Sequence, residues 1–193
     1  MKIGVLALQG AFIEHINVMQ QLGVEALPIR LSRELDGLDG LIIPGGESTS
    51  ILNLMHSFNL AQPLRELAQA GLPILGTCAG MVCLAKRVSD SGGLDRETLS
   101  LMDIEVRRNA FGRQVDSFET ELHVPVLGQK SFPGVFIRAP IIEGADPKVK
   151  ILARLPNGVA VAARQGKLVA LAFHPELTSD LRFHRYFLKI AAS

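Results

Sequence analysis

Short apolar runs alternate with stretches of helical spacing over the first half of the chain. Residues 3–8 are continuously apolar, as in a strand that is covered on both faces. From residue 12 to residue 22 the apolar side chains recur at helical spacing, and Gly23 ends the helix. The same pattern predicts strands at 24–29, 38–43 and 73–77, and helices at 48–58, 63–70 and 79–86. Strands that alternate with helices predict a parallel, doubly wound sheet.

The second half of the chain has a different pattern, in which short apolar segments are separated by turn residues. The strands predicted there cover 104–108, 118–124, 134–137, 149–153, 159–164 and 168–173. A loop is predicted at 89–98, and a closing helix from about residue 179 to residue 190. We therefore expect one α/β domain over residues 1–193. It should have three layers, with helices flanking a mostly parallel central sheet that carries antiparallel additions.

Composition and charge narrow the class of protein. The chain has 193 residues, of which 48% are hydrophobic and 20% charged, a balance that fits one domain with a sizeable core. The net charge of +1 produces no uniform field that would favour nucleic acid or an acidic membrane. The apolar start is too short for a signal peptide, and no apolar stretch is long enough to span a bilayer. We expect a soluble, cytoplasmic protein with neither nucleic acid nor membrane as a partner.

The two cysteines, Cys78 and Cys83, lie too close together in one predicted helix to form a disulfide. Two cysteines that cannot pair with each other favour a reducing compartment, in which a free thiol can be catalytic. Cys83 lies on an apolar helix and is predicted to be a core residue.

Cys78 stands in a turn that suits a nucleophile. The segment Gly76-Thr77-Cys78-Ala79-Gly80 follows a predicted strand and precedes a helix, as in strand–turn–helix nucleophile sites. The glycines allow close backbone approach, and the helix N-terminus favours a thiolate. The N–H of Ala79 can face a developing oxyanion. The alternative is a small buried cysteine in a glycine-rich turn.

A cysteine nucleophile needs a base, which the segment His174-Pro175-Glu176 can supply. Residues two apart in extended chain point the same way, so Glu176 can orient the His174 ring. His174 and Cys78 both follow strand ends, where parallel sheets gather their active residues. The alternative is a strand-terminal turn with a solvated Glu176. The other histidines carry weaker signals: His15, His56 and His184 are predicted to be surface or structural, and His123 has no carboxylate at a useful spacing except Glu121.

Two further segments can bind a substrate. Pro44-Gly45-Gly46-Glu47-Ser48 offers free N–H groups at a helix start but lacks the ending of a phosphate loop. We predict that the Gly46 N–H is an oxyanion donor and that Glu47 and Ser48 cap the helix and contact substrate. The alternative is a plain turn with an N-cap. A substrate α-carboxylate needs a guanidinium, which Arg108 or Arg138 could supply; the alternative for the basic segment around Arg108 is a solvated, salt-bridged loop.

These residues resemble the triad-type (class I) glutamine amidotransferases. More narrowly they resemble the vitamin B6 branch of that family, the glutaminase subunits of pyridoxal 5′-phosphate synthase. The cysteine turn and His174-Pro175-Glu176 are shared across the class. More specific to the branch are Asn109-Ala110-Phe111-Gly112-Arg113-Gln114 and Phe136-Ile137-Arg138-Ala139-Pro140. The resemblance covers essentially the whole chain and implies a class I amidotransferase-like, flavodoxin-like fold.

The resemblance implies a specific activity and a specific site. Cys78, His174 and Glu176 would form the triad, and L-glutamine would be bound by Gly46, Glu47, Ser48, Arg108, Ile137 and Arg138. No metal or organic cofactor would be required. The ammonia released would pass to a (β/α)₈ synthase subunit within a large complex of both subunits.

One departure from the family pattern stands at Leu99-Ser100-Leu101, where the family commonly has Leu-Gly-Leu, after an atypical polar stretch from residue 89. Three alternatives remain open from the residues. These are a thiol peptidase or amidase of related fold, a non-catalytic binding module, and an amidotransferase for another acceptor such as imidazole glycerol phosphate synthesis.

Overall fold

A computed structural model describes residues 1–89, 97–110 and 117–193, and its elements follow the apolar pattern closely. The strands are β1 Lys2–Leu6, β2 Glu25–Ile29, β3 Gly40–Ile43, β4 Ile74–Thr77, β5 Ala85–Val88, β6 Met102–Arg107, β7 Ser117–Leu122, β8 Phe132–Ile137, β9 Ile141–Ala145, β10 Lys150–Arg154, β11 Ala160–Gln165 and β12 Leu168–Leu171. The helices are α1 Phe12–Gln21, α2 Ser48–Ser57, α3 Ala61–Gln69, α4 Ala79–Leu84 and α5 Arg182–Ala191. Single 3₁₀ turns span Ser32–Leu35, Pro125–Leu127 and Pro175–Leu177.

The described strands form a ten-stranded sheet and a separate β7–β8 pair. Along the large sheet the order is β2-β1-β3-β4-β12-β11-β9-β6-β5, with β10 paired to β11. From β2 to β12 every neighbouring pair is parallel. All residues of β3 and β4 are buried, which requires cover on both faces of the sheet. The predicted three-layer α/β architecture is confirmed.

The other half of the sheet is built by antiparallel pairing of β12, β11, β9 and β6. Two details of the predicted elements were wrong here. The helix predicted at 79–86 ends at Leu84, because Ala85–Val88 leaves it to pair with β6 as strand β5. Strand β9 was not predicted at all, because pairing with the distant strands β11 and β6, and not a local pattern, decides its conformation.

Residues 90–96 and 111–116 lie outside the described residues, so part of the polar stretch that departs from the family pattern is not described. Ser100, where the family commonly has glycine, adopts a φ of +54°. That is the left-handed region in which glycine carries no steric cost.

A cluster of buried apolar side chains runs from Ile3 to Ile190 through all layers. Within it the rings of Phe132, Phe136, Phe173 and Phe183 contact one another, with centroids 4.8 to 5.9 Å apart. These rings fix β8 against the end of β12 and against α5. Among the helices of the described ranges, none is long and apolar enough to cross a membrane.

The turn between β4 and α4 depends on two glycines that flank Cys78. A Cβ at Gly76 would lie 2.6 Å from the Gly80 carbonyl oxygen, and a Cβ at Gly80 would overlap the Ile43 carbonyl oxygen. Backbone therefore contacts backbone on both sides of the turn, which only glycine permits. The sequence prediction that a side chain at either position would clash is confirmed.

We expect Gly80→Ala to lower the free energy of unfolding by about 2–3 kcal/mol, because the new methyl group overlaps a carbonyl of a buried strand. Urea denaturation measures the change. Gly144→Ala is the matched control, since a Cβ there meets its nearest atom at an ordinary 3.5 Å. Equal stabilities for the two variants would contradict the packing of this turn.

Candidate active site

Three neighbouring parallel strands bring the predicted site residues to one edge of the sheet. Cys78 follows β4, His174 follows β12, and the Gly45-Gly46 turn follows β3. Leu171 of β12 pairs in register with Thr77 of β4, and the Cys78 N–H donates to the Leu171 carbonyl at 2.7 Å. The carboxyl ends of adjacent parallel strands therefore meet at one point, where such folds bind ligands.

Cys78 has a strained backbone, with φ +50° and ψ −104°. Such a conformation is rare for a residue with a Cβ and persists only where the surroundings enforce it. The residue immediately precedes α4, which begins at Ala79. Because the first N–H groups of a helix have no partner within the helix, the Ala79 N–H is available beside the thiol. Sγ lies 3.8 Å from the Ile137 carbonyl oxygen, and Cys78 as a whole is 6% exposed.

His174 contacts both Cys78 and Glu176. Its Nδ1 lies 2.7 Å from Oε1 of Glu176, and the His174 N–H donates to the Val135 carbonyl of β8 at 2.8 Å. Burial opposes protonation of the ring, but hydrogen bonds to Cys78 and Glu176 outweigh it and raise the pKa of His174 to about 10. The site therefore favours an imidazolium at His174.

Glu176 is a buried carboxylate, with its side chain fully covered. Burial would raise the pKa of Glu176, but the electrostatic attraction of His15 and the hydrogen bond with His174 keep it lowered. The Glu176 carboxylate thus stays ionised and can hold the His174 ring by Nδ1.

Two further histidines lie behind the Cys78–His174–Glu176 group, and both are completely buried. Nε2 of His15 lies 3.3 Å from Oε2 of Glu176 and 3.1 Å from the Thr77 hydroxyl. Nδ1 of His15 lies 3.1 Å from Nε2 of His184. Burial lowers the pKa of His15, against the attraction of Glu176, and it lowers that of His184 to about 3, so the His184 ring is neutral.

The turn after β3 is fixed by contacts with the segment after β1. The Gly45 carbonyl accepts from the Ala11 N–H at 3.0 Å, which sets the orientation of the Gly45–Gly46 peptide. A Cβ at Gly45 would overlap the His174 ring and lie 3.3 Å from Cβ of Cys78, so this turn directly covers both residues. Oε1 of Gln9 accepts from the Glu47 N–H at 2.8 Å.

Glu47 is the N-cap of α2, as predicted. Its carboxylate accepts from the N–H of Thr49 at 3.0 Å and from that of Ser50 at 2.7 Å. Partial burial works against ionisation, but the hydrogen bonds from Ser50 and Thr49 lower the pKa of Glu47 to about 2. Nη2 of Arg108 lies 3.6 Å from Oε1 of Glu47. One wall of the site therefore presents an anion and a cation side by side.

A cavity of about 250 Å³ opens over Cys78. Apart from Glu176, which is buried behind His174, every site residue predicted from the sequence lines it: Gly46, Glu47, Ser48, Cys78, Ala79, Arg108, Ile137, Arg138 and His174. Gln9, Val82, Asn109 and Pro140 also line it, although none of them was predicted as a site residue. Arg138 and Asn109 adopt φ values of +43° and +45° at its rim.

His15 and His184 were predicted to be surface or structural, and neither is on the surface. One signal could have found His15. It lies in the first turn of α1, directly after β1, and therefore near the same carboxyl edge as Cys78. No comparable signal exists for His184, because its contact with His15 spans 169 residues.

Comparisons with known proteins show the family to which the chain belongs. The model of the SNO glutamine amidotransferase family matches residues 5–193. The chain is 59% identical over 192 residues to the pyridoxal 5′-phosphate synthase subunit PdxT of Dehalococcoides mccartyi, covering 99% of this chain and 97% of that protein. It is 57% identical over 190 residues to the PdxT subunit of Moorella thermoacetica, covering 98% and 99% of the two chains.

Solved structures give the same result at the level of the fold. A crystal structure of a glutamine amidotransferase is 46% identical to this chain, with a TM-score of 0.92 and 99% of each chain covered. The structure of PurLQS from Thermotoga maritima is 15% identical, with a TM-score of 0.66 and 97% of each chain covered. The second likeness supports the predicted α/β fold only.

The strain at Cys78 predicts an unusual order of stabilities. Because φ is +50°, we expect Cys78→Gly to unfold with a free energy about 1 kcal/mol higher than Cys78→Ala. Cys83 is the matched control, since it lies within α4, where alanine should be the more stable replacement by a similar amount. Urea denaturation of the four variants measures both differences, and the same order at both positions would contradict the strained turn.

The neutral state of His184 predicts a dependence of stability on pH. Its pKa is lowered to about 3 in the folded chain from 6.5, so below pH 6.5 the unfolded chain binds a proton that the folded chain excludes. Stability therefore falls as pH falls from 6.5 towards 3. We expect His184→Gln to lose less stability than the wild type over this range, by up to about 1.4 kcal/mol per pH unit.

Urea denaturation between pH 7.5 and pH 4 measures how steeply the free energy of unfolding depends on pH in the wild type and in His184→Gln. His123→Gln is the control, because His123 is exposed and should leave the slope unchanged. Parallel slopes for wild type and His184→Gln would contradict a neutral buried ring.

Proposed function

Because this chain belongs to the SNO glutamine amidotransferase family, we propose that its cavity hydrolyses L-glutamine to L-glutamate and ammonia, with Cys78 as the nucleophile. The chain is a glutaminase subunit of pyridoxal 5′-phosphate synthase and supplies ammonia for vitamin B6 biosynthesis. The arrangement of Cys78, His174 and Glu176 at one edge of the sheet is the main support for assigning roles to these residues. Cys78 supplies the nucleophile, His174 carries the proton, and Glu176 orients the His174 ring.

Substrate binding uses the charged wall of the cavity. Free glutamine carries an α-carboxylate and an α-ammonium group, which need a cation and an anion at a fixed separation. Arg108 and Glu47 provide such a pair, and Arg138 lies beside Ile137 in the same lining. We assign the α-carboxylate to the two arginines and the α-ammonium to Glu47. The side-chain amide then points towards Cys78.

The first chemical step is attack by the Cys78 thiolate on the δ-carbon of the glutamine amide. A C–S bond forms and the carbonyl electron pair moves to oxygen. The N–H groups of Ala79, at the start of α4, and of Gly46 are the proposed donors to this oxyanion. One such donor typically contributes about 3–4 kcal/mol to transition-state stabilisation.

The second step releases ammonia. The His174 imidazolium donates its proton to the amide nitrogen as the C–N bond breaks, which leaves a γ-glutamyl thioester on Cys78. His174, now neutral, accepts a proton from water, and the resulting hydroxide attacks the thioester. Collapse of that adduct releases glutamate and restores the thiolate and the imidazolium. Each proton transfer uses groups of the chain itself.

The acceptor of the ammonia is a partner protein. The relatives named above are subunits of pyridoxal 5′-phosphate synthase, which implies that the partner is a synthase subunit. We propose that this partner is a (β/α)₈ protein and that the two assemble into a large hetero-oligomer in the cytoplasm. We further propose that residues 1–193 act as one glutaminase domain, in line with the continuous apolar cluster.

We expect Cys78→Ser to reduce glutamine hydrolysis, measured with the synthase partner present, by about a thousandfold or more, because the hydroxyl is a far weaker nucleophile than the thiolate. Pyridoxal 5′-phosphate formation should then fail with glutamine and continue with ammonium salts. Glutamate release and absorbance of the product measure the two reactions.

Cys83→Ala is the matched control, since Cys83 is a fully buried core thiol on the same helix as the proposed nucleophile turn. Its glutaminase activity should stay near that of the wild type despite some loss of stability. Unchanged hydrolysis in Cys78→Ser would exclude Cys78 as the nucleophile.

A further inference from the structure

His15 faces the one carboxylate oxygen of Glu176 that His174 does not use. Its Nε2 lies 3.3 Å from Oε2 of Glu176, while Nδ1 of His174 lies 2.7 Å from Oε1. Within the described ranges, Oε2 has no hydrogen-bond partner of regular geometry, and the side chains of His15 and Glu176 are both fully buried. The N–H group placed to stabilise the charge on this oxygen is therefore that of His15.

The positions of the protons follow from the other contacts. Nδ1 of His15 and Nε2 of His184 are 3.1 Å apart, so one of the two must donate and the other accept. Nδ1 of His184 is buried and, among the described residues, has no hydrogen-bond partner. If His15 donated to His184, Nδ1 of His184 would carry a buried N–H without an acceptor, and a lone pair of His15 would face the carboxylate.

The opposite arrangement avoids both costs. His184 then donates from Nε2 to Nδ1 of His15, and His15 presents its Nε2–H to the Thr77 hydroxyl and Oε2 of Glu176. Only a lone pair on His184 stays without a partner in the described part of the chain, which costs less than a buried N–H. The tautomer of His15 is thereby set by His184.

We infer that His15 is a positioning residue for the triad, whose Nε2–H holds the Glu176 carboxylate ionised and in the plane that orients His174, with His184 fixing the tautomer of His15. The inference rests on the proposed function, since it assigns Glu176 to the triad. His15 touches neither the cavity nor the reacting atoms and acts through Glu176.

The consequence is a dependence of activity on pH. The groups that face Glu176 are His174 from its own turn and His15 from α1, with His184 of α5 behind His15 and Glu14 beside it. Without an N–H at Oε2, the buried carboxylate binds a proton at higher pH. A protonated Glu176 no longer stabilises the His174 imidazolium, so the acid limb of the activity profile moves to higher pH.

Two amide replacements separate positioning from packing. The side-chain amide of glutamine can reach the place of Nε2, whereas that of asparagine reaches only the place of Nδ1. We expect His15→Gln to keep kcat/KM for glutamine, measured with the synthase partner present, at about the wild-type value. We expect His15→Asn to lose about tenfold or more, because the N–H group that faces the buried carboxylate is lost, and its acid limb should move to higher pH.

A second readout needs neither glutamine turnover nor the partner. Iodoacetamide alkylation of Cys78 in the isolated chain, followed by peptide mass spectrometry, reports the thiolate–imidazolium pair directly. Its pH–rate profile should move to higher pH in His15→Asn and stay in place in His15→Gln. His56→Asn is the matched control, because that ring contacts the Glu97 carbonyl, at 3.2 Å, away from the triad, and should leave both profiles unchanged.

The possible outcomes distinguish the positioning role of His15 from the proposed glutaminase function. Identical profiles and activities for His15→Gln and His15→Asn would overturn the positioning role while leaving the glutaminase intact. A wild-type complex without glutamine hydrolysis, but with distinct alkylation profiles for the two variants, would overturn the proposed function instead. If neither variant folds, His184→Gln and His184→Leu make the same comparison, since only glutamine can still donate to Nδ1 of His15. Equal alkylation profiles for these two variants would overturn the inference.

Discussion

The backbone of Cys78 is held at φ +50° between two glycines, and the site depends on that one constraint. Contacts of Gly76 with Gly80, and of Gly80 with Ile43, pack the turn so tightly that Cys78 cannot relax to an ordinary conformation. In this conformation Cys78 lines the cavity beside His174, and α4 starts directly after it. Stability of the sheet thus maintains a conformation that the residue would not adopt alone.

The buried charge of Glu176 is the second constraint, and it connects the chemistry to the fold. A carboxylate without water must be matched by N–H groups on its oxygens, or it takes up a proton. His174 comes from the end of β12 and His15 from the start of α1, so the match exists only when the two ends of the chain are packed together. The contact between His15 of α1 and His184 of α5, whose ring nitrogens lie 3.1 Å apart, is part of that packing.

Much of this site could be predicted from sequence because its signals are local. Cys78 is marked by its own glycines, and His174 and Glu176 by their spacing and by the strand before them. The strand–helix alternation likewise predicted the parallel half of the sheet. His184 left no such signal, since its contact with His15 spans 169 residues. Strand β9 and the early end of α4 were missed for the same reason: pairing with distant strands, and no local preference, decides their conformation.

In the mechanism that we propose, one ring serves both half-reactions, and the raised pKa of His174 suits it to this. Burial lowers the pKa of His174, but hydrogen bonds with Cys78 and Glu176 raise it to about 10, which suits the ring to protonate ammonia as it leaves. When Sγ becomes a neutral thioester in the proposed reaction, the contribution of Cys78 disappears, whereas the one from Glu176 persists. The pKa of His174 then falls, and the ring becomes a base that can accept a proton from water. In this proposal the nucleophile switches the role of its own base, and Glu176, whose charge stays the same, keeps the ring in place.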